Sequence, residues 1–571
     1  MKSKKRPIND AKVAAIPAVQ ETIVEPVAQV SPPKSEARIQ RERIEVKRPN
    51  RLWVIVLLLG WVFDLLFWSQ PIGINFAIFS VIFLIGGLYF LYQEGYQPAR
   101  NSRWLLLTFG FFVIITFMRQ EPLTIFLAYT FTMFSVFLLV NTYQGGQWMQ
   151  YGLSDYFLKL SLLIGSMISR PIEFFVQVRK DEAAKGEVSK ILPLWGVLRG
   201  LAIALPVVVC FASLLASADV VFSQKLGDFF GLFSVGKFAE YFLRFVLIFF
   251  YAYLLAGVFL HTAASKDEKS HGEEKTVIKP FLGFTESTVV LGSVAVLFTL
   301  FVIVQFQYFF GGQTNIGVTG YTYSQYARRG FNELVTVAFF SLVMILGLST
   351  VTRRINEMEK RIYSGLSVVI VALVMIILVS AYQRISLAID WHGFSRLRLY
   401  PRVFLVWLGI LLVSVVVLEI LRQERYFAFA AVLASIGFAI SLTLVNVDAA
   451  IVKHNVPRVL HGKNLNVAHL ASLSTDAVPV LVKEYQSTRY SQTVHEGLGA
   501  ALACYLHKDS LPNDDRDWRS FNFSRWRAHN ALQEVQLSLQ EYGINDKRWP
   551  LRARTPSNVL YDCFYSSAAE E

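Results

Sequence analysis

A chain of 571 residues that is 54% hydrophobic, with a mean hydropathy of +0.43, carries more apolar side chain than a soluble core of that size can hide. Its formal charge of +13 is uneven: residues 446–571 hold 14 Lys/Arg against 14 Asp/Glu, so the excess lies in the tail and loops before them. Basic charge interleaved with apolar runs is the mark of cytoplasmic loops, which makes nucleic-acid binding the weaker reading of the high pI; three cysteines exclude a disulfide-dense scaffold.

Residues 1–51 are rich in Lys, Arg, Glu, Pro and Val without sustained periodicity, which predicts a disordered basic cytoplasmic tail. Its 12 Lys/Arg act as a topogenic signal and could lie on anionic headgroups. Apolar runs then recur at lengths suited to crossing roughly 30 Å of hydrocarbon. They are Leu52–Trp68, Ile72–Tyr92, Trp104–Met118, Leu123–Val140, Trp195–Ala216, Phe238–Leu260, Ser287–Phe310, Phe331–Thr350, Ser364–Ala388, Val403–Leu421 and Phe427–Val445. Lipid offers no partner for a backbone amide, so these are expected as helices. The fold class expected is all-α: a polytopic transmembrane helical bundle of about 11 spans over residues 52–445.

One further run, Tyr156–Val178, is apolar but interrupted by Lys159, Arg170, Pro171 and Glu173, and reads as an interfacial or re-entrant helix. With the N-terminus cytoplasmic, an odd number of spans puts residues 446–571 outside. That stretch is more polar, with helices expected at Ala468–Leu473, Ala477–Tyr485, His495–His507 and Phe521–Tyr542, a small helical extracytoplasmic domain. Cys504 and Cys563 both fall in it, where oxidation is permitted, and form a candidate disulfide. Cys210, in an apolar run, reads as inert core.

Charge at the outer ends of the spans is what stands out. Arg328 and Arg329 precede one span; Arg384, Asp390, His392, Arg396, Arg398 and Arg402 crowd the turn between two others. None gains anything from the positive-inside rule there, and ionisable groups at membrane depth call for a function. Tyr326, Arg328, Arg329, Glu333, Arg384, Asp390, His392, Arg396 and Arg398 are therefore expected to converge on one outward-facing cavity for an anionic lipid or lipid-linked ligand, because arginine recognises phosphate and carboxylate bidentately. The bland reading is that each Arg anchors separately at headgroup level. Glu240 and Arg244, at i and i+4, read as a structural pair, and Asp64 as an interhelical hydrogen bond. Asp448, Val452 and Asn455 share one helical face just beyond the last span. His454, His461 and His469 lack metal-ligand spacing, and Walker A, GxSxG and HExxH motifs are missing. No catalytic residue, metal or cofactor is expected.

Taken together, the YARRGF-x-ELV entry, the AYQRISL…GFSRLRLYPRVFLVWL turn, NVDAAI…HN, LASLSTDAVPVL and SFNFSRWRA resemble a bacterial multi-pass membrane family catalogued as domain of unknown function 4173. The resemblance covers most of Trp195–Arg527. It implies a bacterial cell-envelope protein and brings no activity. The residues then favour a non-enzymatic protein that binds or moves an anionic ligand at its outer face. A membrane transferase using a lipid-phosphate donor is one alternative. Polyprenyl-phosphate glycosyltransferases share such an architecture, but carry an acidic residue in a sizeable first outer loop, where this chain has only Ser69–Pro71. The other alternative is an envelope scaffold or sensor that docks a partner on its C-terminal domain.

Overall fold

The computed structural model describes residues 46–145, 148–184, 200, 204, 208, 211–212, 214–219, 221–225, 235–265, 281–310, 331–510, 517–545 and 550–564. The tail up to residue 45, most of the expected span Trp195–Ala216, and Tyr326, Arg328 and Arg329 lie outside these. The protein is an all-α, multi-pass membrane protein: ten helices among the described residues are long and apolar enough to cross a bilayer. They are α1 (Pro49–Phe67), α2 (Ile74–Gln93), α3 (Trp104–Met118, with a preceding 3-10 turn), α4 (Pro122–Thr142), α6 (Val235–Ala264), α7 (Phe284–Phe310), α8 (Phe331–Val351), α9 (Glu357–His392), α10 (Arg396–Ile420) and α11 (Phe427–Val445). The helix α5 (Leu153–Ala184) lies between the fourth and fifth of these, with Pro171 inside it.

Local chemistry sets where these helices begin. Pro122 occupies the first turn of α4, where its missing N–H costs nothing, and the Glu121 carboxylate accepts from the amides of Leu123 (3.0 Å) and Thr124 (2.8 Å). Asn356 and Glu359 close a reciprocal capping box on α9. That helix runs past the expected Ala388 to His392 and stops at Gly393, whose φ of 83° suits glycine. A Cβ there would also collide with Arg458 and Asn455.

Among the described spans, consecutive ones run antiparallel except α4 and α6. At one end Lys47 N–H donates to Glu94 (2.6 Å), Ser102 to the Thr142 carbonyl (2.7 Å), and Arg354 pairs with Glu419 (2.9 Å). The other end is covered by α12 (Val447–Asn455), α13 (Val467–Ala471), α14 (Val478–Tyr485), α15 (Gln492–Ser510) and α16 (Phe523–Leu539), which we call the cap. The cap is helical, as expected, and carries in addition one small sheet. An antiparallel sheet of β1 (Gly543–Asn545), β2 (Arg552–Arg554) and β3 (Leu560–Asp562) follows α16, with Gly543 opposite Arg554 and Arg552 opposite Asp562. Three-residue strands that present Arg552 and Arg554 to solvent around one buried Ala553 leave no alternation to detect. Cys504 of α15 is disulfide-bonded to Cys563, just past β3, with a Cα–Cα distance of 5.6 Å.

The cap has no separate core. Val447, Ile451, Leu481, Leu498 and Leu502 pack in one cluster with Leu399 of α10 and Leu442 of α11, and Leu123, Phe394, Tyr400 and Phe438 adjoin it. Burial therefore runs without a break from lipid-spanning helices into the cap.

α4 ends away from the cap and α6 starts beside it, since Glu240 of α6 accepts from Trp68 at the cap end of α1 (2.9 Å). α4 and α6 therefore run in the same sense, both away from the cap. The middle of α5 rests on the last third of α6, where Tyr253 donates to the Ile168 carbonyl and Gly257 faces the Met167 backbone.

Candidate functional site: a buried polar joint beneath the cap

Three short junctions between apolar runs meet at the cap end: Arg119–Glu121 before α4, the first turn of α10, and the α11–α12 link. Each must return polar backbone and side chains from lipid depth, and here they satisfy one another. Arg396 forks onto Asp448, with Nε to Oδ1 at 2.8 Å and Nη2 to Oδ2 at 2.5 Å. The Asp448 side chain is fully buried, while that of Arg396 keeps 27% exposure. Ser474 N–H gives Asp448 a third hydrogen bond (2.7 Å).

One helical turn into α10, the Tyr400 hydroxyl donates to Glu121, already held by two α4 amides and by Thr124 Oγ1 (2.5 Å). Asp476, in the turn before α14, accepts from the amides of Gln120 (2.7 Å) and Glu121 (3.0 Å) and faces Arg119 at 3.7 Å. Burial pushes its carboxyl above the usual range, against the opposing pull of the Gln120 amide and Arg119. Arg119 also donates to the Thr443 carbonyl of α11 (3.0 Å), and Asn522, which caps α16, donates to the Arg119 carbonyl (3.1 Å). Phe394 and Asn455 exchange two hydrogen bonds (2.7 and 2.8 Å), and His454 stacks on the Phe394 ring at 3.9 Å. Burial, then the Arg458 charge, lower the His454 pKa below its ordinary value.

Several of the sequence-predicted residues take their places here in different directions. Arg384 is buried and reaches Gln305 of α7 (3.1 Å); Arg396 is taken by Asp448; Arg398 turns back to the Gly393 carbonyl (3.2 Å). Asp390 and His392 are exposed at the end of α9, and Glu333 is exposed in the first turn of α8. Arg244 skips Glu240 and forks onto Asp64 of α1 (2.6 and 3.0 Å). A charge inside a span is satisfied best by a carboxylate on the facing helix, and α1 is that neighbour.

Glu121, Tyr400 and Asp476 carry the joint without having stood out in the sequence. The Glu-Pro pair ahead of an apolar run was the available signal for Glu121, as a helix start. Nothing local to Tyr400 or Asp476 reveals a partner 279 or 355 positions away. The arrangement is chemically a structural clamp: its carboxylates are engaged by amides, hydroxyls and two arginines, and among the described residues no metal-binding cluster forms. The family model described as domain of unknown function (DUF4153) matches residues 105–484, a range that contains Glu121, Arg396, Tyr400, Asp448 and Asp476. The match carries that number rather than 4173. No curated protein and no solved structure matches the chain.

Proposed function

This chain belongs to the DUF4153 family, and we propose that it is a non-enzymatic scaffold of the bacterial cell membrane, holding its cap rigidly on the extracytoplasmic face as a docking platform. The buried joint carries this reading. A domain that swings to deliver a substrate needs a loose hinge, whereas here Arg396, Glu121 and Asp476 tie the cap and three junctions of the bundle through groups that cannot part without stranding a buried charge. Arg396, one of the arginines expected to line an anionic-ligand site, is paired with Asp448.

Two observations support the orientation. The end away from the cap gathers Lys47, Arg48, Arg51, Arg100, Arg103, Arg353, Lys360, Arg361, Arg422 and Arg425, the asymmetry of a cytoplasmic side. The Cys504–Cys563 bond belongs to an oxidising compartment. Docking is best supported on α16, where Leu537 is 82% exposed and Trp526, three turns earlier on the same face, is half-exposed. A photo-crosslinking residue at Leu537 in cells is expected to give one discrete adduct with an envelope protein, and at Leu421, on the far end, none with that protein. No adduct at Leu537 contradicts the platform reading.

A further inference from the structure

α9 and α10 diverge enough to leave an open groove of about 430 Å³ between them, walled by Leu378, Val379 and Tyr382 on one side and Val406, Gly409 and Ile410 on the other. Spacings of three and four residues put each set on a single helical stripe. Val379 is 54% exposed and Val406 50%, so the groove opens sideways toward hydrocarbon rather than into the bundle. Gly409 gives it width: a Cβ there would meet only the Met375 thioether, at 3.6–3.7 Å.

The cap end of this apolar groove closes on a charge. Arg402, one to two turns before Val406 and Gly409 on the same stripe, donates from Nε to the Tyr382 hydroxyl (3.0 Å), with its guanidinium 5.2 Å from that ring. Among the described residues no acceptor lies on its two Nη groups. From Val403 to Leu418 α10 has no ionisable side chain, so Arg402 stands at the hydrocarbon boundary. Arg458 adds a second cation at this corner, where it bonds the Asp390 carbonyl, and His454 and the Asp390 carboxylate lie close by. An arginine at that depth is costly without an anion, and its planar fork matches two phosphate oxygens.

We propose that this groove is a binding site for one anionic phospholipid: an acyl chain lies along Leu378, Val406 and Gly409, and the phosphate sits on the Nη groups of Arg402, which Tyr382 holds in place. The shape and the charge together select the occupant. A free anion would leave the apolar groove unfilled, and a chain without phosphate would leave Arg402 unmatched.

Native mass spectrometry of the full chain, delipidated in detergent and titrated with phosphatidylglycerol, tests this. Wild type is expected to retain one lipid tightly. Arg402→Gln and Gly409→Leu should each weaken that binding at least tenfold, Arg402→Lys should restore part of it, and Arg425→Gln, at the far end, should leave it unchanged. Gly409 is buried beside Met375, and a Cβ there meets only that flexible thioether, so Gly409→Leu fills the groove and keeps the test decisive if Arg402→Gln fails to fold. Unchanged binding in Gly409→Leu overturns the site, as does equal binding of diacylglycerol. Displacement by inorganic phosphate alone would show a free-anion site instead.

Discussion

Arg396 and Asp448 sit where a lone charge is least tolerable, at the lipid boundary beneath a packed domain. Removing one member of such a pair leaves the other buried and uncompensated, at a cost of about 3–5 kcal/mol. Arg396→Gln and Asp448→Asn are each expected to destabilise the folded protein by about that much. The double variant should cost clearly less than the sum, measured as a double-mutant cycle in detergent unfolding; strict additivity would mean that the two do not interact.

His454 gives this region a pH dependence. Its folded pKa lies below the ordinary 6.5, so the unfolded state takes up protons first as pH falls. The contribution of the His454–Phe394 contact is full above that value and is lost as pH drops below it. Once corrected for the intrinsic exchange rate, amide protection across Val447–Asn455 should therefore fall between pH 7 and pH 5, and His454→Gln should flatten the response. At this scale the sequence was half legible. Charges at the ends of apolar runs are visible, but their partners, 52 positions apart for Arg396 and Asp448, are created only by the packing of whole helices.

At the scale of elements, ten of the eleven expected spans coincide with described helices whose ends lie within seven residues of the expected ones, because hydrocarbon thickness and backbone satisfaction leave helices as the only solution. The three strands could not be read. They are held by their neighbours and by the Cys504–Cys563 link rather than by any pattern of their own. Closing a segment of 59 residues is worth about 4 kcal/mol on the chain-entropy model. Cys563→Ser should lower cap stability by that order while the spans stay folded, seen as faster exchange confined to Gln492–Asp562. Equal loss of protection in α1–α4 would show that cap and bundle share one unfolding unit. The start of α4 makes a sharper case. Glu121→Ala removes two amide acceptors and the Tyr400 partner at once, so it should cost more than the roughly 1 kcal/mol of an ordinary helix cap.

At the scale of the whole molecule, the membrane bundle carries a domain packed onto one end rather than tethered to it. A continuous apolar core, a buried ion pair and a set of side chain–backbone bonds all cross the same boundary, so independent motion of the cap would have to break them together. The direct measurement is a distance distribution by double electron–electron resonance between nitroxides at Leu537 on the cap and Leu421 at the far end of α10, in lipid nanodiscs. A single narrow peak is predicted for the wild-type protein, broadening in Asp448→Ala. A broad or multi-peaked distribution in the wild type would contradict a fixed cap.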